Sequence, residues 1–135
     1  MPHTTSLTVR FNELDPYAHV NHAAYVTYFE VARTEALDAS DMGITRVADA
    51  GFQLVVVEIN VKYRSAAVMG DALEIDTWIT ERKRATMRWS QALRRGDEVL
   101  VTEDIHVAVT DTDGRPVRPP AWLFEYPDFM HVPPG

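Results

Sequence analysis

The stretch NELDPYAHVNHAAYVTYF, residues 12–29, decides how this chain of 135 residues folds. Asp15-Pro16 ends any preceding strand, because proline restricts the residue before it and cannot donate to a strand ladder. Asn21 is a favourable helix N-cap, and apolar residues then recur at three- and four-residue spacing. We therefore predict a helix from about Asn21 to Ala39 whose first half is buried. Its apolar positions are Tyr25, Phe29, Ala32, Ala36 and Leu37.

Alternating apolar and polar residues predict five strands around this helix. One strand precedes the helix, over Ser6–Leu14, and the other four follow it at residues 57–64, 73–80, 86–93 and 99–109. The turn segments between these four are Gly70-Asp71, Arg82-Lys83-Arg84 and Gly96-Asp97. Such short connections imply antiparallel pairing, so the sequence predicts an α+β fold with one sheet face covering the helix. On the other face, we expect Trp78 and Leu100 to mark a subunit contact.

Length and composition restrict the classes of function. The chain has the size of one domain, which we predict to span residues 1–135 with a proline-rich C-terminal segment from about Pro116. A net charge of −7 argues against nucleic acid as a partner, because phosphate binding needs a basic surface. No apolar run approaches the roughly 20 residues of a membrane helix, and no secretory signal is visible, so we expect a cytoplasmic protein. The absence of cysteine excludes disulfides and thiolate nucleophiles.

Most of the side chains that could take part in catalysis lie between the end of the first predicted strand and the start of the helix. A helix N-terminus offers unpaired N–H groups that stabilise an oxyanion, and Asp15 just upstream is a candidate nucleophile or general base. Asp before Pro is also a common turn former, and the residues alone leave both interpretations open. His19 and His22 lie three residues apart, but a zinc site needs three or four ligands and the spacing suggests no third. We therefore expect no metal.

The segment DPYAHVNHAAY, residues 15–25, resembles the D-x-x-G-H-V-N-N-x-x-Y signature of hotdog-fold acyl-CoA thioesterases of the hydroxybenzoyl-CoA thioesterase group. The similarity continues in order through residues 30–37, 57–63, 70–71, 94–98 and 113–117, and so covers roughly residues 7–120. It implies a β-α-β4 fold, with a long helix wrapped by a five-stranded antiparallel sheet. Two positions depart from the signature: Ala18 replaces its Gly and His22 replaces its second Asn.

The resemblance also implies roles for individual residues. Asp15 would be the catalytic carboxylate, and the backbone N–H of His22 would polarise the thioester carbonyl. His19, Asn21 and Tyr25 would contact the substrate, although the residues themselves favour His19 as a hydrogen-bonding turn residue and Asn21 as a helix cap. No cofactor is expected, since coenzyme A is part of the substrate. A homodimer or a dimer of dimers, a homotetramer, is expected to hold the site at its interface.

The densest basic run, Arg82, Lys83 and Arg84, lies at the turn between the second and third strands after the helix. It is a candidate clamp for the phosphates of coenzyme A, and the alternative is a solvated loop. The predicted function is hydrolysis of an acyl-CoA to free acid and CoA. The alternatives are a thioesterase for acyl-acyl carrier protein, a non-catalytic acyl-CoA-binding protein of the same fold, and a hotdog dehydratase.

Overall fold

The computed structural model describes residues 2–39 and 44–119. Its strands are β1 (His3–Thr8), β2 (Phe52–Tyr63), β3 (Ala72–Arg82), β4 (Thr86–Arg95) and β5 (Glu98–Asp111). Its helices are α1 (His22–Ala39) and α2 (Ile44–Asp49), with a short 3₁₀ turn at Phe11–Glu13. The predicted proline-rich segment lies mostly outside the described residues, and the single-domain assignment stays a prediction.

The five strands form one antiparallel sheet in the order β1-β3-β4-β5-β2. Helix α1 lies against one face of this sheet, which is the hotdog arrangement predicted from the sequence. Asn21 precedes the first helical residue, and the predicted apolar positions Tyr25, Phe29, Ala32, Ala36 and Leu37 are all buried. The β-α-β4 order and the antiparallel pairing are therefore confirmed.

One charged group lies in the core between α1 and the sheet. The side chain of Glu103 on β5 is fully buried, and its Oε2 accepts a hydrogen bond from Arg33 at 3.1 Å. Arg33 also donates to Gln91 Oε1 at 3.0 Å, and Gln91 in turn donates to the carbonyl of Phe29 at 3.0 Å. This network ties the middle of the helix to the sheet. Within the described residues, Glu103 Oε1 has no hydrogen-bond partner.

Two expectations from the sequence are wrong. The first strand is His3–Thr8 instead of Ser6–Leu14, because its partner β3 begins at Ala72, opposite Thr8, and the chain then turns into the 3₁₀ segment. Leu100 does not mark an exposed contact, because it is fully buried in the core. The β4–β5 register shifts at Leu93/Arg94, and this irregularity accompanies burial of both Leu100 and its neighbour Val101.

Strand β2 forms one edge of the sheet and carries exposed apolar side chains on both faces. These are Val55, Val56, Val57, Ile59 and Tyr63, each between 38% and 56% exposed. Among the described strands none pairs with the outer edge of β2, and a strand of 12 residues with such an edge and such side chains is a template for pairing with another chain.

Candidate active site

The loop that precedes α1 is closed by backbone hydrogen bonds at its neck. Leu14 and Val20 form an isolated antiparallel bridge, and the Asp15 N–H donates to the His19 carbonyl at 2.7 Å. The Asn21 N–H donates to the Glu13 carbonyl at 2.8 Å. These bonds bring the two ends of the loop together, so Asp15 is held beside the start of the helix.

The Asp15 carboxylate is fixed in orientation by its own loop. Its Oδ1 accepts N–H hydrogen bonds from Tyr17 at 2.8 Å and from His19 at 3.1 Å. Asp15 is therefore a turn former, as the simpler interpretation predicted. Its Oδ2 has no hydrogen-bond partner among residues 2–39 and 44–119, so this second oxygen remains available for chemistry.

The first turn of α1 leaves one N–H group open. Asn21 caps the helix, because its side-chain Oδ1 accepts from the Ala23 N–H at 2.8 Å and its carbonyl accepts from the Ala24 N–H at 2.9 Å. In the described part of the chain no acceptor is assigned to the His22 N–H. The helix dipole adds partial positive charge there, so this N–H suits a developing oxyanion.

Ala18 adopts a left-handed backbone with φ of 61°, the conformation that favours glycine. This is the position where the signature has Gly. The turn keeps its geometry with Ala18, at a cost of about 1 kcal/mol of backbone strain. The loop hydrogen bonds around Asp15 hold that strained conformation in place.

The two histidines are exposed and lie on either side of the helix start. His19 forms a backbone bridge with Val68, which supports its interpretation as a turn residue. Among the described residues, no three His, Asp or Glu side chains are grouped to hold a metal ion. That no metal is needed stays a prediction.

Three tyrosines, Tyr25, Tyr28 and Tyr63, lie around the base of the site, and the sequence placed only Tyr25 there. Tyr25 is buried, and its hydroxyl accepts the Ala67 N–H at 2.9 Å, so this hydroxyl has a structural partner. Tyr63 at the end of β2 donates to the His22 carbonyl at 2.8 Å. The sequence carried no signal for Tyr63, because an alternating strand residue looks the same whether it packs or positions a helix.

The basic turn at Arg82, Lys83 and Arg84 lies far from Asp15 of the same chain. The Asp15 loop adjoins residues 67–71, which directly precede β3, whereas the basic turn follows the other end of β3. At about 3.3 Å per residue, this strand of 11 residues spans roughly 33 Å. Lys83 also pairs with Glu81 at 3.2 Å. One chain therefore does not bring the basic turn and Asp15 together.

A cavity of about 580 Å³ lies between the second half of α1 and the inner face of the sheet. Its wall is mostly apolar, with Arg33 and Glu30 at its polar side, and it is lined by Glu30, Arg33, Thr34, Leu37, Leu54, Val56, Trp89 and Val107. Leu54 and Val56 belong to edge strand β2. The cavity is thus beside the edge where a second chain could pair, and away from Asp15 of its own chain.

Comparison with known proteins agrees with this architecture. Residues 9–126 match the family model described as the thioesterase-like superfamily. The chain is 35% identical over 100 residues to the long-chain acyl-CoA thioesterase FadM of Escherichia coli K12, covering 74% of this chain and 75% of FadM. It is 30% identical over 122 residues to the chloroplastic acyl-acyl carrier protein thioesterase ATL3 of Arabidopsis thaliana, covering 88% of this chain and 64% of ATL3.

Among solved structures, the probable thioesterase YbaW of Escherichia coli superposes with a TM-score of 0.83 at 28% identity, covering 94% of this chain and 97% of YbaW. The chain belongs to the thioesterase-like superfamily. The expected hotdog thioesterase family and the enzyme class of thioester hydrolase are thereby confirmed. No helix among the described residues is both long and apolar enough to cross a bilayer.

Proposed function

We propose that the protein hydrolyses an acyl-CoA thioester to the free acid and CoA, with Asp15 as the catalytic carboxylate. The observation that carries this proposal is the arrangement of Asp15 beside the helix start. Two N–H groups hold its Oδ1, while within residues 2–39 and 44–119 neither its Oδ2 nor the His22 N–H has a hydrogen-bond partner. The naming of FadM as an acyl-CoA thioesterase supports CoA as the carrier.

The chemistry proceeds by one of two routes, both of which use Asp15 Oδ2. In the first, the carboxylate attacks the thioester carbonyl and the C–S bond breaks, so that CoA leaves as a thiolate and is protonated; water then hydrolyses the resulting anhydride to the free acid and restores the Asp15 carboxylate. In the second, the carboxylate takes a proton from water, whose oxygen attacks the carbonyl as the thiolate leaves and is protonated. In either route the His22 N–H stabilises the negative charge that develops on the carbonyl oxygen.

Replacement of Asp15 by Asn tests the proposal. The amide oxygen can still accept from the Tyr17 and His19 N–H groups, so we expect Asp15→Asn to fold, while an amide serves as neither nucleophile nor base. We expect turnover of acyl-CoA to fall about 100-fold or more, measured by release of free thiol.

Asp111 provides a matched control. Its Oδ1 accepts N–H hydrogen bonds from Asp113 at 2.9 Å and from Arg115 at 3.0 Å, so it forms the same kind of turn at the end of β5. Asp111→Asn should keep full activity. If Asp15→Asn is as active as this control, Asp15 is only a turn residue and the proposed mechanism is wrong.

An acyl carrier protein is the alternative carrier of the acyl group, and the similarity to ATL3 favours it. The two carriers are separated by comparing kcat/KM for the same acyl chain on CoA and on acyl carrier protein. A preference for the protein carrier would select this alternative.

We place the substrate nucleotide on a partner subunit's copy of the basic turn. Two β2 edges paired antiparallel about a two-fold axis would set the Tyr63 end of one strand against the Phe52 end of the other. Each Asp15 would then lie near the partner end that carries the Lys83 turn. This arrangement accounts for the separation within one chain, where Asp15 and the basic turn lie at opposite ends of β3, a strand of roughly 33 Å. The assembly is a homodimer or a homotetramer, and the cytoplasmic location stays a prediction.

A further inference from the structure

Tyr25 of α1 makes edge-to-face ring contacts with two other tyrosines, Tyr28 of α1 and Tyr63 of β2. The ring centroids of Tyr25 and Tyr63 are 5.6 Å apart, and those of Tyr25 and Tyr28 are 6.1 Å apart. Their hydroxyls bond to three different segments around the site: the helix start, the residue 67 backbone, and Glu13. The third of these bonds is the one that reaches the loop of Asp15.

The Tyr28 hydroxyl donates to Glu13 Oε1 at 2.7 Å. Glu13 Oε1 also accepts the Arg10 N–H at 2.9 Å, and Oε2 accepts from the Arg10 guanidinium at 3.2 Å. Partial burial alone would raise the pKa of Glu13, but the hydrogen bonds from Tyr28 and Arg10 outweigh it and hold the pKa below its ordinary value. Burial and the Glu13 charge both raise the pKa of Tyr28, so its hydroxyl remains the donor. The pair is thus a charge-assisted hydrogen bond.

The backbone of Glu13 connects its hydrogen bond with Tyr28 to the loop of Asp15 at two points. Along the chain, only Leu14 separates it from Asp15. Across the neck of the loop, its carbonyl accepts the Asn21 N–H at 2.8 Å, which fixes the cap residue of the helix. The side chain of Glu13 therefore joins the interior of α1 to both ends of the loop that presents Asp15.

We propose that Tyr28 and Glu13 are a positioning pair that sets the Asp15 carboxylate relative to the open N–H at the start of α1. The expected effect of this pair on turnover of acyl-CoA rests on the proposed function. Neither side chain touches the reacting atoms: each acts through the loop. A displacement of about 1 Å in a catalytic group is enough to lower turnover up to about 100-fold.

Tyr28→Phe tests the pair, because it removes only the hydroxyl and keeps the ring. We expect kcat for acyl-CoA to fall about tenfold with KM changed less than about twofold, as expected when substrate binding is kept and transition-state geometry is lost. Thr4→Val is the matched control: it also removes a hydroxyl that donates to a carboxylate at 2.7 Å, here that of Asp76 on the sheet. It should leave both constants unchanged.

Glu13→Gln supplies the second variant. The amide keeps the size of the side chain and an acceptor for Tyr28, so it should lower kcat less than Tyr28→Phe. The double variant should be no worse than Tyr28→Phe by more than about twofold, because the two residues act as one unit. If the double variant lowers kcat by the product of the two single-variant reductions, the two residues act independently and the proposed pair is wrong.

A measurement independent of activity separates this inference from the proposed function. Hydrogen exchange of the Tyr17, His19 and Asn21 amides reports how firmly the loop is held. We expect these amides to exchange at least about fivefold faster in Tyr28→Phe and at the wild-type rate in Thr4→Val. Unchanged exchange in Tyr28→Phe refutes the positioning role. If Asp15→Asn retains activity, the proposed function fails and the exchange rates alone decide whether the pair holds the loop.

Discussion

Replacement of Glu103 by Gln should remove a pH dependence from the stability of the fold. Burial raises the pKa of Glu103 to about 7 from an ordinary value of 4.5, and the neighbouring Arg33 opposes that rise only in part. The side chain of Glu103 is 0% exposed and that of Arg33 is 11% exposed. The low-polarity surroundings therefore disfavour the charged carboxylate more than the guanidinium favours it.

The sign of the effect follows from where the proton is held more tightly. The folded state binds the Glu103 proton better than the unfolded chain does, so this stabilisation is fully present below pH of about 4.5 and is lost as pH rises through about 7. Since each pKa unit corresponds to about 1.4 kcal/mol, the whole contribution is about 3 kcal/mol. Most of this contribution, about 2–3 kcal/mol, should disappear between pH 5 and pH 8.

The assay is urea unfolding of wild type and Glu103→Gln at pH 5 and pH 8, at one fixed protein concentration because an oligomer's stability depends on it. The difference in free energy of unfolding between the two proteins should shift by about 2–3 kcal/mol in favour of the variant on going from pH 5 to pH 8. All other titrating groups are common to both proteins and cancel. Asp97→Asn, at an exposed turn, is the control: its free energy of unfolding should change between pH 5 and pH 8 by the same amount as that of wild type. A movement below about 0.5 kcal/mol for Glu103→Gln would refute the reasoning.

Two further predictions concern the substrate nucleotide and the assembly. Lys83→Ala with Arg84→Ala should raise KM for acyl-CoA with kcat largely kept, since phosphate contacts bind the ground state and transition state alike. A truncated thioester without the nucleotide should be unaffected, and equal effects on both substrates would show that the nucleotide lies elsewhere. Light scattering at micromolar concentration should give a dimer or a tetramer, and Val57→Lys on edge strand β2 should shift it toward monomer. A fully active monomer would contradict the proposed interface.

The sequence by itself determined the order of the elements, the burial pattern of α1 and the position of the candidate site. These follow from local rules: Asn21 favours a cap, Pro16 forbids a continuing strand, and residues at alternating positions share a sheet face. The same rules extended β1 too far, because strand pairing ends where the partner ends, and β3 begins opposite Thr8. They also assigned Leu100 to the wrong face of the sheet, because simple alternation assumes an unbroken register. The β4–β5 register shifts at this point, which is visible only in the paired strands.

Only the tertiary structure decided which groups meet across the chain. The bond from Tyr28 to Glu13 joins residues 15 apart, the one from Tyr63 to His22 joins residues 41 apart, and the one from Arg33 to Glu103 joins residues 70 apart. Periodicity assigns each of these residues to a face but not to a partner. The pairings arise because the sheet wraps the helix and so brings together residues that are distant in the sequence.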